Sequence, residues 1–159
     1  MLDRMPRVDF HSQVGSRLHY CCRLTRKVLS LSPLGQALKQ VIVIIPQAEL
    51  AQLDSLLWSF SADDFLPHCQ IDDELAIASP ILLTSSYNRM LFDQVPHSDV
   101  LIHMGSQPLT EIVELANRFE RVVEIVSTSE LDLIAGRERF KHYRSLGLEL
   151  TNYDQKGAA

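Results

Sequence analysis

At 159 residues, 46% hydrophobic and 22% charged, the chain has the length of one domain and is too apolar to stay unfolded. Its formal charge of −5 argues against strong direct binding of nucleic acid. The charged start MLDRMPRVDFHSQ has no apolar h-region for a signal peptide, and no apolar run reaches the length of a membrane span, so a cytoplasmic protein with no membrane partner is expected.

Residues 7 to 11, RVDFH, read as a first short strand, and from residue 16 to 31 the side chains Leu18, Cys21, Cys22, Val28 and Leu29 recur at helical spacing. Cys21 and Cys22 fall on that apolar stripe and read as small hydrophobes. With Cys69 they form an odd set without CxxC spacing, so reduced thiols are expected. QVIVIIP, 40 to 46, is apolar without alternation, the mark of a strand covered on both faces. Leu50, Leu53, Leu56 and Leu57 return to helical spacing between residues 47 and 59, and ILLTS (81 to 85) and VLIHMG (100 to 105) read as further buried strands. A helix from 109 to 119, a strand from 120 to 126 and a long helix from 129 to 146 follow, with Gly147 as its C′ stop. This alternation predicts an α/β fold, a mainly parallel sheet with helices on both faces. One domain is expected over residues 1–150, with a tail that packs through Leu148 and Leu150 and frays over 151–159.

Such a sheet suggests a nucleotide beyond the carboxyl ends of its strands, yet the motifs for one are missing. The chain after the first strand reads HSQVGSR, with one glycine where GxGxxG is needed, and GxxxxGK[ST] occurs nowhere. Histidines 11, 19, 68, 97, 103 and 142 form neither HxH nor HExxH, so no metal site is expected. Asp63, Asp64, Asp72, Asp73 and Glu74 lie in polar loop sequence and read as solvated carboxylates, and Ser85 and Ser86 lack a GxSxG elbow. No catalytic residue and no cofactor is expected.

Two surfaces remain. GRERFKHYRSLG, 136 to 147, sets Arg137, Lys141 and Arg144 on one helical strip at i, i+4 and i+7 with Phe140 at its edge, while Arg139 points elsewhere. Cations at a helix C-terminus relieve the macrodipole; the alternative is an anion-binding strip beside a ring. Trp58, the only tryptophan, lies well outside the stripe of Leu50, Leu53 and Leu57, with Phe60 and Phe65 in the loop that follows. An interface anchor and a second packing layer both suit it. No Lys or Arg occurs between Lys39 and Arg89, while seven carboxylates do, so the middle of the chain is acidic and its end basic.

LDSLLW followed by DDFLPH, and VVEIV followed by RERFKHYRSLGLEL, resemble the chi subunit of the bacterial DNA polymerase III holoenzyme. The resemblance implies a single Rossmann-like domain without a nucleotide site and a noncatalytic accessory of the clamp loader. It implies a 1:1 pairing with the psi subunit through Trp58 and Phe65, a face for which a helicase-related protein competes. It further implies binding of the acidic C-terminal tail of single-stranded-DNA-binding protein, which ends in isoleucine, proline and phenylalanine. Arg137, Lys141 and Arg144 would meet that tail's carboxylates, and Phe140 with Val126 would border the slot for its last ring; relatives often carry tyrosine at the position of Phe140. The other reading of the same pattern is a small Rossmann-like nucleotide- or cofactor-binding enzyme with an atypical loop.

Overall fold

The computed structural model describes residues 5–32, 38–63 and 65–156. Strand β1 (Arg7–Val14) is followed by α1 (Arg17–Ser30), β2 (Val41–Ile44), α2 (Gln47–Ser59), β3 (His68–Gln70) and a 3-10 turn (Ala76–Ala78). Then come β4 (Ile81–Thr84), α3 (Arg89–Asp93), β5 (Val100–His103), α4 (Ile112–Arg118), β6 (Arg121–Ser127), α5 (Glu130–Ser145) and β7 (Glu149–Asp154). Among the described residues the strands form one sheet in the order β3-β4-β2-β5-β6-β1-β7, and every pairing is parallel.

The apolar strand runs follow from the layering. Val41 and Val43 of β2, with Val123 and Ile125 of β6, pack under α1 and α2. Ile42, Ile44, Val122 and Val126 face the other way, toward Phe92 of α3, Leu115 of α4 and Tyr143 of α5. Strands buried on both faces need apolar side chains at every position, so alternation disappears. Cys21 and Cys22 are buried in the first of these layers; burial pushes both thiols up, Cys22 to about 12, which keeps them protonated at neutral pH.

Three elements depart from the expectation drawn from sequence. Short β3 and α3 lie in stretches read as loop, and β7 replaces the tail expected to fray after Leu150. Gly147 does stop α5, with φ +83°, and its N–H donates to the Arg144 carbonyl while that of Leu148 reaches Tyr143. This paired closure turns the chain sharply, and it delivers Glu149 directly alongside Arg7 of β1. The last three residues of the expected tail lie outside the described residues, as does Asp64. β1 runs to Val14, past the expected end at His11, through a register shift against β6 between His11 and Val14. Gln13 there has φ +59°, the left-handed conformation that a bulge uses to re-aim neighbouring side chains.

Helix α5 is fixed to the sheet by a buried carboxylate. Glu124 of β6 is fully buried, and its oxygens accept from Arg139 Nε at 2.9 Å, Tyr143 Oη at 2.6 Å and His103 Nδ1 at 2.8 Å. Arg139, also fully buried, donates further to the carbonyl of Ser106 at 3.3 Å, and Tyr143 Oη accepts from Leu109 N–H at 3.0 Å. Arg139 thus leaves the outward strip of α5 and serves the core.

His11 of β1 lies buried between Tyr20 and Arg121, and its pKa is lowered from 6.5 to about 4, first by burial and then by the Arg121 charge. Two stability measurements follow. Arg139→Met should cost about 3–5 kcal/mol of unfolding free energy in urea titrations, because Glu124 stays buried without its cation, and adding Glu124→Gln should recover part of the loss. For His11 the unfolded chain takes up a proton before the folded one as pH falls. Its contribution is therefore complete above about pH 6.5 and is lost progressively toward pH 4, and His11→Gln should flatten that limb of the stability curve.

Candidate functional site

The amino end of α5 is built to carry a surface. The Ser129 hydroxyl caps the helix by accepting from Asp132 N–H, and the Asp132 carboxylate accepts from Ser127 N–H at 2.6 Å. At Gly136 the helix presses on β6 so closely that an added Cβ would lie 2.8 Å from Val126 Cγ1. Only hydrogen allows that approach. Beside this contact Gly136 and Val126 also border a small cavity of about 230 Å³, with Arg137, Phe140, Phe10 and Asn152 around it.

Val126, Arg137 and Phe140 are thus brought together. Phe140 rests edge-on against Phe10, ring centres 5.1 Å apart, which leaves its other flank to the cavity. Lys141 and Arg144 do not line the cavity; they are exposed farther along α5, and neither they nor Arg137 forms an ion pair among the described residues. The cavity is smaller than the ~300–1,000 Å³ of ordinary ligand pockets, room for one side chain with cations beyond it.

Sequence reasoning missed Phe10, Ser12, Gln13, Leu133 and Asn152, which complete this lining. Asn152 belongs to the strand expected to fray. Gln13 reaches the cavity through a bulge that no glycine marks at its position.

The second surface lies at the opposite edge. Trp58 is 49% and Phe65 74% exposed, their ring centres 5.6 Å apart. The indole also lies 4.1 Å from the ring of His68, which is itself held by the Leu66 and Asp54 carbonyls. A buried, doubly bonded histidine thus supports an exposed aromatic pair and limits its rotamers. The carboxylates of Asp54 and Asp63 lie on the same helix and in the loop that follows it.

A crevice of about 400 Å³ opens at the carboxyl ends of β2, β4 and β5, the usual nucleotide position in this architecture. Its lining includes Ser85, Tyr87, Ser106 and Glu111. The first turn of α2 nearby carries Glu49, which accepts two hydrogen bonds from Arg17 at 2.8 and 2.9 Å. That carboxylate is thus held by α1 and is not among the residues that line the crevice.

With this geometry in hand, comparison with known proteins assigns the chain. A family profile described as DNA polymerase III chi subunit, HolC, matches residues 5–151. The DNA polymerase III subunit chi of Pseudomonas aeruginosa is 27% identical over 155 residues, covering 94% of this chain and 96% of that protein. The match runs from β1 into β7, and the chain belongs to the DNA polymerase III chi subunit family of replication accessory proteins.

Proposed function

We propose that this protein is a noncatalytic tether in the cytoplasm, joining the clamp loader, through the psi subunit, to the acidic C-terminal tail of single-stranded-DNA-binding protein. The observation that carries this reading is the cavity at Val126, Gly136, Arg137 and Phe140, a mainly apolar slot with Arg137, which forms no ion pair among the described residues, on its border and Lys141 and Arg144 farther along α5. A peptide ending in an aromatic residue places its ring and its carboxylates only a few ångströms apart, and this site offers a partner for each. The last phenylalanine enters between Phe140 and Val126, Arg137 takes the terminal carboxylate, and Lys141 and Arg144 attract the preceding aspartates. Phe140 supplies packing but no hydroxyl.

Trp58 and Phe65 are the anchor for psi, or for a helicase-related protein on the same face. The pair is exposed yet held in place by His68, so little conformational entropy is lost on binding. The competing reading, a nucleotide- or cofactor-binding enzyme, would place its ligand in the crevice beyond β2 and β5. Glu111 in its lining makes that crevice a poor host for phosphate. No described helix is long and apolar enough to cross a membrane.

Arg137→Ala should weaken a fluorescein-labelled tail peptide ten- to a hundredfold in anisotropy titrations, about 1.5–3 kcal/mol, with little change in thermal stability. Rising salt should weaken the wild-type complex, whereas deleting the peptide's last phenylalanine should weaken it at every ionic strength. Equal binding by wild type and Arg137→Ala at low salt would remove the site. For the other edge, Trp58→Ala should abolish co-purification with psi while lowering the melting temperature by only a few degrees; an intact complex in a strongly destabilised protein would make Trp58 a packing residue.

A further inference from the structure

A second cation-rich cavity lies on the opposite face of β1 and β7 from the tail slot. Among the described residues only α1 and α2 cover that face, and two helices about 10 Å wide cannot span seven strands spaced about 4.8 Å apart. The margin at β7 is left open as a cavity of about 440 Å³, walled by Tyr20, Arg23 and Lys27 of α1 and floored by His11, Arg121 and Tyr153. Among the described residues no carboxylate lines it. Asp9, behind the floor, is shared between Arg121 at 3.2 Å and Arg7 at 3.6 Å, so it does not neutralise both. Arg23 and Lys27 form no ion pair among the described residues.

The hydrogen bonds around His11 have a direction. Arg121 can only donate, so His11 Nε2, 3.4 Å from its guanidinium, is the acceptor. A neutral ring then carries its proton on Nδ1 and donates it to the Tyr20 hydroxyl oxygen. The Tyr20 proton is left for another acceptor, with the cavity in front of it. Arginine, imidazole and phenol form a chain that ends in a polarised donor, and Arg23 and Lys27 follow it one and two helical turns along α1, in the same cavity wall. The Tyr153 ring, at the rim, is fixed edge-on to His11 at 5.5 Å with much of its surface exposed. Converging donors and cations call for an anion with several acceptor oxygens, and the ring calls for a flat group beside it.

We propose that this cavity holds one phosphate of single-stranded DNA, bound by Tyr20, Arg23 and Lys27, with the adjoining base lying on Tyr153. Duplex DNA fits poorly, because its bases are already stacked and cannot turn onto a tyrosine at a sheet margin. With an acidic protein around it the contact is weak, and it gains weight only when another contact has already brought the strand close. The site is separate from the peptide slot, and each can fail without the other.

The test is anisotropy of a fluorescein-labelled oligothymidylate of about 12 nucleotides with the full chain at low salt, in parallel with tail-peptide binding. Arg23→Ala/Lys27→Ala, both exposed and therefore harmless to the fold, should reduce the slope of log affinity against log salt by about 0.7, the value for one phosphate of a single strand. Tyr20→Phe should weaken the strand about tenfold. Both variants should bind the tail peptide as wild type does, and Arg137→Ala should leave the oligonucleotide unaffected. Strand binding that ignores the double variant, or that is lost instead with Arg137, overturns the proposal. So does competition by inorganic phosphate or thymidine monophosphate that matches the oligonucleotide phosphate for phosphate, since the cavity would then be a small-anion site.

Discussion

The carboxylate of Glu124 is the group on which the seating of α5 against the sheet depends. It is buried on the central part of the sheet, and three side chains from β5 and α5 donate to it. A lone carboxylate there would cost several kcal/mol, and the donors remove that cost only if helix and sheet meet in one register. Apolar contacts between α5 and β6 would tolerate a slide of part of a turn; the bonds to Arg139 and Tyr143, one turn apart, do not. Register in turn decides which residue meets Val126. Gly136 lies one turn before Arg139 and lets α5 press on Val126, and Arg137 and Phe140 follow on the borders of the slot. The buried polar cluster and the exposed cation strip are two faces of one helix, and the first aims the second.

The sheet order sets the distance between the two proposed contacts. β3 and β7 are the outer strands, and six steps of about 4.8 Å separate them by roughly 30 Å. Trp58 and Phe65 lie by the β3 edge, beside His68 of that strand, and the tail slot draws Asn152 from β7. Partners of ordinary size can occupy both edges together, as a tether requires. Each contact can then be modest, because the second binding event takes place at the raised local concentration supplied by the first.

Much of this was legible in the sequence because burial leaves a simple signature. Continuous apolar runs at 41–45, 81–83 and 100–102 suit strands covered on both faces, and helical spacing between them fixes the alternation. The 137, 141, 144 strip and the isolated Trp58 were equally visible, since helical geometry alone makes them neighbours or outsiders. What escaped reading depends on partners distant in sequence. β7 is polar and lies on an edge, where half-exposed positions carry no hydrophobic pattern. Arg139 looks like one more surface cation in RERFK until Glu124, fifteen positions earlier, is seen to need it. The bulge at Gln13 lacks the glycine that ordinarily announces a left-handed residue, so Phe10, Ser12 and Gln13 could not be assigned to the slot.

Charge follows the same division. The stretch without lysine or arginine, from residue 40 to 88, builds β2, α2, β3 and β4, which is one half of the sheet. Arg7, Arg23, Lys27, Arg121, Arg137, Lys141 and Arg144 all fall on β1, α1, β6 or α5, in the other half. A net charge of −5 therefore conceals a molecule with an acidic edge and a basic one. An acidic peptide approaching such a particle is repelled from the β3 side and drawn to the β7 side before any contact forms, which raises its encounter rate with the slot. The acidic edge likewise keeps the peptide off the aromatic pair at Trp58. Segregation of charge along the chain thus becomes segregation of charge in space, because the strand order places the acidic middle of the sequence and its basic ends on opposite sides of the sheet.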